Sequence, residues 1–274
     1  MKFSLSTGSL YIYPLRTVFG WARATGFDAV ELVINPEAIA RGGEAVRRMA
    51  AEEGVEILTV HPTVVPLPGW RERSGGMDPT ISLAQETGAG VVIMHTPRSE
   101  RLDEDEGLAF RRRVESWQPR LRESGLRLAV ENKAVRTATD LGYALTAPER
   151  LRSFADQHDL GLVLDTAHAG TAGEDLLRVR RLFDGRLVNV HLSDMGGQMS
   201  RLPLPTLRAA VGEHRFPGAG DLLLGDLLQS LAFDRYGGPV TLEVNPFALH
   251  FWWPPAVRRQ LARALSWMKQ AAAG

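Results

Sequence analysis

Six short apolar runs in this chain each end in a histidine or an acidic residue. An uninterrupted apolar run of four to six residues is typical of a parallel strand that is buried on both faces. The carboxyl ends of such strands form the edge where α/β folds place their chemistry. Six such ends therefore predict one convergent polar site. The terminal residues are His61, His95, Glu131, Asp165, His191 and Glu243.

Strand and helix signals alternate along the whole sequence. Strands are predicted at 3–7, 29–34, 55–61, 91–95, 126–131, 160–165, 186–192 and 239–245. Helices are predicted at 14–25, 43–53, 78–87, 103–123, 147–158, 174–182, 221–231 and 254–271. Closed barrels of eight such units typically have ~250 residues, and this chain has 274. The sequence therefore predicts an α/β fold, a single (β/α)₈ TIM barrel spanning residues 1–274, with a metal site at the carboxyl-terminal rim of the strands.

The charge and residue composition exclude several classes of protein. Lys plus Arg and Asp plus Glu number 32 each, so no global positive field attracts nucleic acid or a membrane surface, although a local basic groove stays open. The absence of cysteine excludes disulfides, thiolate catalysis and Cys-ligated zinc. No apolar stretch approaches the ~20 residues that cross a bilayer, and the amino terminus lacks a signal-peptide pattern. We expect a cytoplasmic protein without a membrane or nucleic-acid partner.

The residue types at the strand ends suit a divalent cation. Glu131 and Glu243 end strands five and eight, and Asp165 and His168 lie three residues apart after strand six. Carboxylate and imidazole ligands together suit Mn²⁺, Co²⁺, Zn²⁺ or Mg²⁺. Each residue alone could equally be a hydrogen-bonded strand-end side chain. Together the acidic groups would repel one another unless a cation held them, so the set predicts a metal site.

Five motifs, in this order, resemble the xylose isomerase-like TIM barrels. They are Glu131-Asn132, Asp165-Thr-Ala-His168, His191-Leu-Ser-Asp194, His214-Arg-Phe-Pro-Gly-Ala-Gly-Asp221 and Leu242-Glu243. That superfamily includes sugar isomerases, sugar 3-epimerases, inosose dehydratases and endonuclease IV. The resemblance to its epimerases implies that one divalent metal is bound by Glu131, Asp165, His191 and Glu243.

The same resemblance implies a reaction. The metal would polarise a carbonyl and stabilise an enediolate, while Glu131 and Glu243 remove and return a proton on opposite sides of the carbon. A sugar isomerase or epimerase acting on a small polyhydroxylated carbonyl substrate is therefore expected. A dehydratase or lyase would use the same proton abstraction. Gly197 stands where the epimerases carry an arginine, so their sugar contacts are not carried over. The candidate substrate-binding residues are His168, Lys133, His61 and His95.

A metal-dependent phosphodiesterase of the endonuclease IV type is the alternative. The resemblance to that enzyme implies further metals on candidate ligands His61, His95, His168 and His214. Gly212 replaces one acidic ligand of the third metal, and the neutral net charge is unfavourable for DNA. Arginines on loops at the site face favour this alternative. Most of them are expected to be solvated, and one or two could instead bind a phosphate or carboxylate of a small substrate. They are Arg71, Arg73, Arg98, Arg101 and Arg201. A non-catalytic barrel that binds a sugar-like ligand is a third reading.

Several further residues have two interpretations each. Glu31 could reach the site, although an ordinary rim carboxylate is the favoured interpretation. Asp194 is interpreted as a partner of His191 or a turn cap, and Asp221 as a helix N-cap rather than a ligand. The long connection at 193–220 is typical of a functional loop or lid. An aromatic cluster after strand eight could form a pocket wall or the contact of a homo-oligomer, and Trp70 has the same ambiguity. The cluster is Phe247, His250, Phe251, Trp252 and Trp253.

Overall fold

Eight parallel strands close into a barrel in chain order, with β1 paired to β8. The computed structural model describes residues 1–64, 67, 76–196 and 212–274. The predicted (β/α)₈ fold class is confirmed, whereas the single-domain organisation of 1–274 stays a prediction. The strands are β1 (Lys2–Ser6), β2 (Ala29–Val33), β3 (Glu56–His61), β4 (Val91–His95), β5 (Arg127–Glu131), β6 (Gly161–Asp165), β7 (Leu187–Leu192) and β8 (Pro239–Leu242).

Helices connect the strands on the outside of the barrel. They are α1 (Leu15–Thr25), α2 (Pro36–Arg41), α3 (Gly43–Glu52), α4 (Met77–Thr87), α5 (Asp105–Ser124), α6 (Pro148–Gln157), α7 (Thr166–Thr171), α8 (Leu176–Leu182), α9 (Leu224–Phe233) and α10 (Pro254–Ala273). Within the described part of the chain, no helix is both long and apolar enough to cross a membrane. The cytoplasmic location stays a prediction.

Two short helices, α2 and α7, were not predicted. Each has only six residues, which is too few for an apolar helical period to be recognised. Both begin with a side-chain cap: Asn35 accepts a hydrogen bond from the Ala38 amide, and Asp165 accepts one of 2.7 Å from the His168 amide. Asp165 therefore ends a strand and starts a helix with the same carboxylate.

The predicted N-cap role of Asp221 is wrong. Helix α9 begins at Leu224, and its N-cap is Leu223. The preceding segment is held as a loop because the buried Asp194 carboxylate accepts hydrogen bonds from the amides of Gly218, Gly220 and Leu222. Because these amides donate to Asp194, the segment before Leu224 does not join helix α9.

The strand register brings the predicted site residues to one level of the barrel. His95 pairs with Glu131 between β4 and β5, and Asp165 pairs with His191 between β6 and β7. Below this level, Ile93, Ala129 and Val163 form a small apolar cluster within the barrel. A larger apolar core packs the strands against the helices. The barrel thus holds a polar layer at the carboxyl ends of its strands above an apolar base.

Candidate metal centre

Four of the predicted metal-binding side chains converge on one point. The Nδ1 atom of His191 lies 2.8 Å from Oε1 of Glu131 and 2.8 Å from Oε2 of Glu243. Oδ2 of Asp165 lies 3.9 Å from the same nitrogen. One potential ligand atom from each residue lies within 4.8 Å of the others. Because divalent ions bind oxygen at about 2.0–2.6 Å, one ion could contact all four with little rearrangement. These residues are named the quartet below.

Two oxygens of the quartet lack a hydrogen-bond partner. Oε2 of Glu131 and Oδ2 of Asp165 are buried and accept no hydrogen bond from the described residues. An ionised carboxylate oxygen that is removed from water without a partner is costly. A divalent cation would supply that partner, and three carboxylates with one imidazole form a suitable donor set. The residues therefore fit a divalent metal.

The titration behaviour of the quartet reflects its crowded negative charge. Burial alone would lower the pKa of His191, but the carboxylates of Glu243, Glu31 and Glu131 raise it well above its usual value. Burial opposes ionisation of Glu131 and Glu243, yet neighbouring histidines hold the pKa of both groups below the usual range. Burial raises the pKa of Asp165. The site thus requires positive charge, which either a protonated histidine or a cation can supply.

A buried carboxylate beneath the quartet fixes the orientation of His191. Nε2 of His191 lies 2.9 Å from Oε2 of Glu31, which also accepts hydrogen bonds from Thr59 Oγ1 (2.8 Å) and Asn189 Nδ2 (3.0 Å). Because a carboxylate accepts, Nε2 must carry a proton and donate. The opposite nitrogen, Nδ1, therefore faces the three carboxylates of the quartet. Metal-binding histidines commonly have this arrangement.

The interpretation of Glu31 as an ordinary rim carboxylate is wrong. Its side chain is fully buried inside the barrel. The sequence contained a signal, because Glu31 interrupts the apolar run of β2. An acidic group within a strand that is buried on both faces requires a polar partner in the interior.

His61 and His95 lie on one side of the quartet and contact Glu131. Their Nε2 atoms are 3.9 Å and 3.3 Å from Oε2 of Glu131. Nδ1 of His61 lies 2.8 Å from the Pro62 carbonyl oxygen, to which it must donate. Nε2 of His61 therefore carries the lone pair that a metal or substrate could use.

His168 and His214 lie on another side and contact Asp165. Nδ1 of each is 3.9 Å from Oδ2 of Asp165. The backbone carbonyl of Asn132 lies 3.0 Å from Nδ1 of His168, and the Asn132 side chain pairs with the Asp165 backbone in both directions. Asn132 thus ties β5 to β6 at the site, a role that sequence reasoning did not assign. The structure brings the four candidate second-metal histidines together as two groups that share Glu131 and Asp165 with the quartet.

A cavity of about 940 Å³ opens over these residues. Lys133 lines it, with the ammonium group 5.2 Å from the ring centre of Tyr143. Arg98 also lines it, whereas Arg101 is exposed and forms an ion pair of 2.6 Å with Asp103. The remaining loop residues singled out in the sequence, and most of the 193–220 connection, lie outside the described residues. Those residues are Trp70, Arg71, Arg73, Gly197 and Arg201.

Asp194 and the aromatic cluster do not belong to the quartet. All described contacts of the Asp194 carboxylate are with backbone amides, which agrees with the turn-capping interpretation. Its proposed role beside His191 is taken by Glu31. No member of the aromatic cluster lines the 940 Å³ cavity among the residues the structure describes, and Phe247 lines a smaller cavity of about 170 Å³ instead. Phe247, Trp252 and Trp253 are exposed, and the homo-oligomer contact stays a prediction.

Known proteins with similar sequences and folds agree with this architecture. A protein of Mycobacterium tuberculosis described as uncharacterized is 29% identical over 268 residues, which cover 89% of each chain. A 3-dehydroshikimate dehydratase of Pseudomonas aeruginosa is 29% identical over 237 residues, covering 81% of this chain but 34% of that larger protein. D-psicose 3-epimerase from Clostridium cellulolyticum has a TM-score of 0.71 at 13% identity over 99% of both chains, which shows a shared fold.

A family model covers almost the whole barrel. The model describes the xylose isomerase-like TIM barrel, and it matches residues 19–271. The match includes every candidate ligand from His61 to Glu243 and seven of the eight strands. This chain belongs to the xylose isomerase-like TIM barrel family.

Proposed function

We propose that this protein is a divalent-metal-dependent isomerase or epimerase that moves a proton next to the carbonyl of a small polyhydroxylated substrate. One observation carries the proposal: the carboxylates of Glu131 and Glu243 both lie 2.8 Å from Nδ1 of His191 and both line the cavity. Their strands are three positions apart around the barrel. Two carboxylates can therefore approach one substrate carbon from different sides.

The proton transfers are assigned to the two glutamates. A divalent cation held by Glu131, Asp165, His191 and Glu243 would supply Lewis-acid polarisation of the substrate carbonyl. Neighbouring histidines lower the pKa of Glu131 and Glu243, so both are ionised at neutral pH and one of them can accept the proton. Glu243 is the more accessible, with 17% of its side chain exposed against 2% for Glu131. We assign proton removal to Glu243 and proton return to Glu131.

Four further side chains are proposed to bind the substrate. His61, His95, His168 and Lys133 line the cavity beside the two glutamates. His61 has an Nε2 lone pair that can accept a hydrogen bond from a substrate hydroxyl, and the Lys133 ammonium can donate to a substrate oxygen. These contacts would orient the carbon next to the carbonyl toward a glutamate.

A dehydratase on the same site begins with the same proton abstraction. The 29% identity to a 3-dehydroshikimate dehydratase supports this variant. After proton removal, the two reactions differ only in whether a β-hydroxyl leaves or the proton returns. The nature of the product therefore separates them.

The second candidate is a metal-dependent phosphodiesterase. It is favoured by the two histidine groups that share Glu131 and Asp165 with the quartet, since such sharing could place two or three cations close together. The balance of 32 basic and 32 acidic residues opposes it, because each neutralised phosphate needs a basic partner. A small-molecule substrate remains the leading proposal.

Solvent hydrogen exchange tests the proposal. Metal-loaded protein is incubated in D₂O with a panel of ketoses, inososes and hydroxylated keto acids, and NMR follows the hydrogen next to the carbonyl. Deuterium incorporation with an isomeric product supports the isomerase or epimerase, and an unsaturated product supports the dehydratase. Cleavage of abasic-site DNA without exchange in any small substrate would contradict both.

A further inference from the structure

Two arginines that line the cavity lack ion-pair partners among the described residues. Arg98 follows β4 and Arg113 lies on α5, and both line the cavity. Among the described residues, neither guanidinium donates a hydrogen bond or has a carboxylate oxygen within ion-pair distance. Glu106 also lines the cavity and has an interaction of its own.

A third arginine that lines the cavity, Arg136, has a carboxylate partner. Arg136 donates three hydrogen bonds to the Glu213 carboxylate, the shortest of them 2.6 Å long. Glu213 is buried, so its charge neutralises Arg136 directly. Arg98 and Arg113 have no such carboxylate among the described residues. The charges of Arg98 and Arg113 are therefore not neutralised by a carboxylate of the described residues.

The surroundings of Arg113 favour an anion. Phe110 and Trp117 lie about one helical turn before and after it on α5, and both are buried and line the cavity, as does Met77. Apolar walls strengthen the attraction between opposite charges because they exclude the high dielectric of water. Guanidinium groups bind carboxylate and phosphate oxygens through paired, charge-assisted hydrogen bonds. An anionic group on the ligand would thus find two guanidinium groups, that of Arg113 half-buried beside apolar side chains and that of Arg98 exposed.

We infer that the substrate carries an anionic group, a carboxylate or a phosphate, which Arg98 and Arg113 bind while its carbonyl end reaches the quartet. The inference rests on the proposed function for the position of the carbonyl end. It narrows the substrate class from neutral sugars to sugar acids, cyclic hydroxy acids or sugar phosphates. Arg98 and Arg113 then act as specificity-determining residues that take no part in proton transfer.

Matched ligands test this preference directly. Calorimetric titrations of Mn²⁺-loaded protein compare D-fructose with D-fructuronate and D-fructose 6-phosphate, in which C6 is oxidised to a carboxylate or phosphorylated, respectively. We expect at least one anion to bind about tenfold or more tightly than fructose. The anion with the lower Kd shows whether the site prefers a carboxylate or a phosphate. Equal or weaker binding of both anions would overturn the inference.

Arginine variants test where the preference originates. Arg98→Gln and Arg113→Gln should each remove most of the preference for the anion while the affinity for fructose stays unchanged. Arg112→Gln is the matched control, because Arg112 is the adjacent residue on α5, is exposed and does not line the cavity. If Arg112→Gln weakens anion binding as much as Arg113→Gln does, the preference is general surface charge and the inference fails.

Metal content is measured on every variant so that two failures can be told apart. Bound metal without an anion preference overturns only this inference. An arginine-dependent anion preference in a protein that binds no divalent metal overturns only the proposed function.

Discussion

Nε2 of His191 lies 2.9 Å from Oε2 of Glu31, and both side chains are completely buried. This contact selects the protonation of the ring, since the nitrogen facing Glu31 must donate. It thereby directs Nδ1 at the three carboxylates of the quartet. The contact connects a residue in β2 with the candidate metal centre on the opposite half of the barrel.

Replacing Glu31 should weaken metal binding without removing a metal ligand. In Glu31→Gln, the side chain keeps its size but no longer holds His191 with a charged acceptor. Loss of such a partner typically lowers metal affinity by about 10–100-fold. Calorimetric titration with Mn²⁺ measures the change. The control is Glu56→Gln, which removes an exposed ion pair with Lys2, and equal affinity in both variants would contradict the role of Glu31.

Replacing Asp165 should separate metal binding from helix capping. In Asp165→Asn, the side-chain oxygen can still accept from the His168 amide at the start of α7, but the charge of a ligand is lost. Metal affinity should fall sharply. Burial raises the pKa of Asp165, so its ionised carboxylate destabilises the folded protein when no metal is bound. The free energy of unfolding of the metal-free variant should therefore be at least as large as that of the metal-free wild type. Chemical denaturation of both metal-free proteins checks this; a variant that binds metal normally but is less stable would show a purely structural role.

Removing the metal should lower the melting temperature. A ligand present at 100 times its Kd stabilises the folded state by about 2.7 kcal/mol, and 1 kcal/mol corresponds to about 2–4 °C in a protein of 150–250 residues. Chelated protein should therefore melt several degrees lower, and added Mn²⁺ should restore the loss. The control is the Glu131→Gln/Glu243→Gln double variant, which should show no Mn²⁺-dependent shift. An equal shift in that variant would place the metal elsewhere.

Replacing Glu243 should abolish proton abstraction even when metal is present. General acid–base groups contribute about 10²–10⁴-fold to rates, so Glu243→Gln should lower the rate of deuterium exchange by at least about 10²-fold at saturating Mn²⁺. Metal content is measured on the same sample, since Glu243 also belongs to the quartet. Normal exchange in metal-loaded Glu243→Gln would transfer the base role to another residue.

The barrel and the position of its site follow from the sequence because both depend on local patterns. Each apolar run that ended in His, Asp or Glu became a parallel strand, and the barrel register aligned pairs such as His95 with Glu131. The start of α9 could not be predicted from the sequence. The Asp194 carboxylate accepts hydrogen bonds from the amides of Gly218 and Gly220, which holds this segment as a loop, and the helix begins only at Leu224. That competition depends on contacts between residues more than twenty positions apart.

The deeper parts of the site required the three-dimensional structure. Glu31 contacts His191 across the barrel, 160 positions along the chain, and no local pattern predicts such a pair. Arg98 could be singled out from the sequence as a loop arginine at the site face, whereas no local pattern predicts that Arg113 of α5 lines the same cavity. Sequence reasoning could identify the type of chemistry at each strand end, but not the residues that orient or surround it.

The most direct test of the account is the divalent-metal stoichiometry of chelated and then reconstituted protein, titrated with Mn²⁺. The account predicts one tightly bound ion per chain, which is lost in the Glu131→Gln/Glu243→Gln double variant. Two or three tightly bound ions would favour the phosphodiesterase instead. A protein that binds no divalent ion would contradict the metal centre and the proposed reaction together.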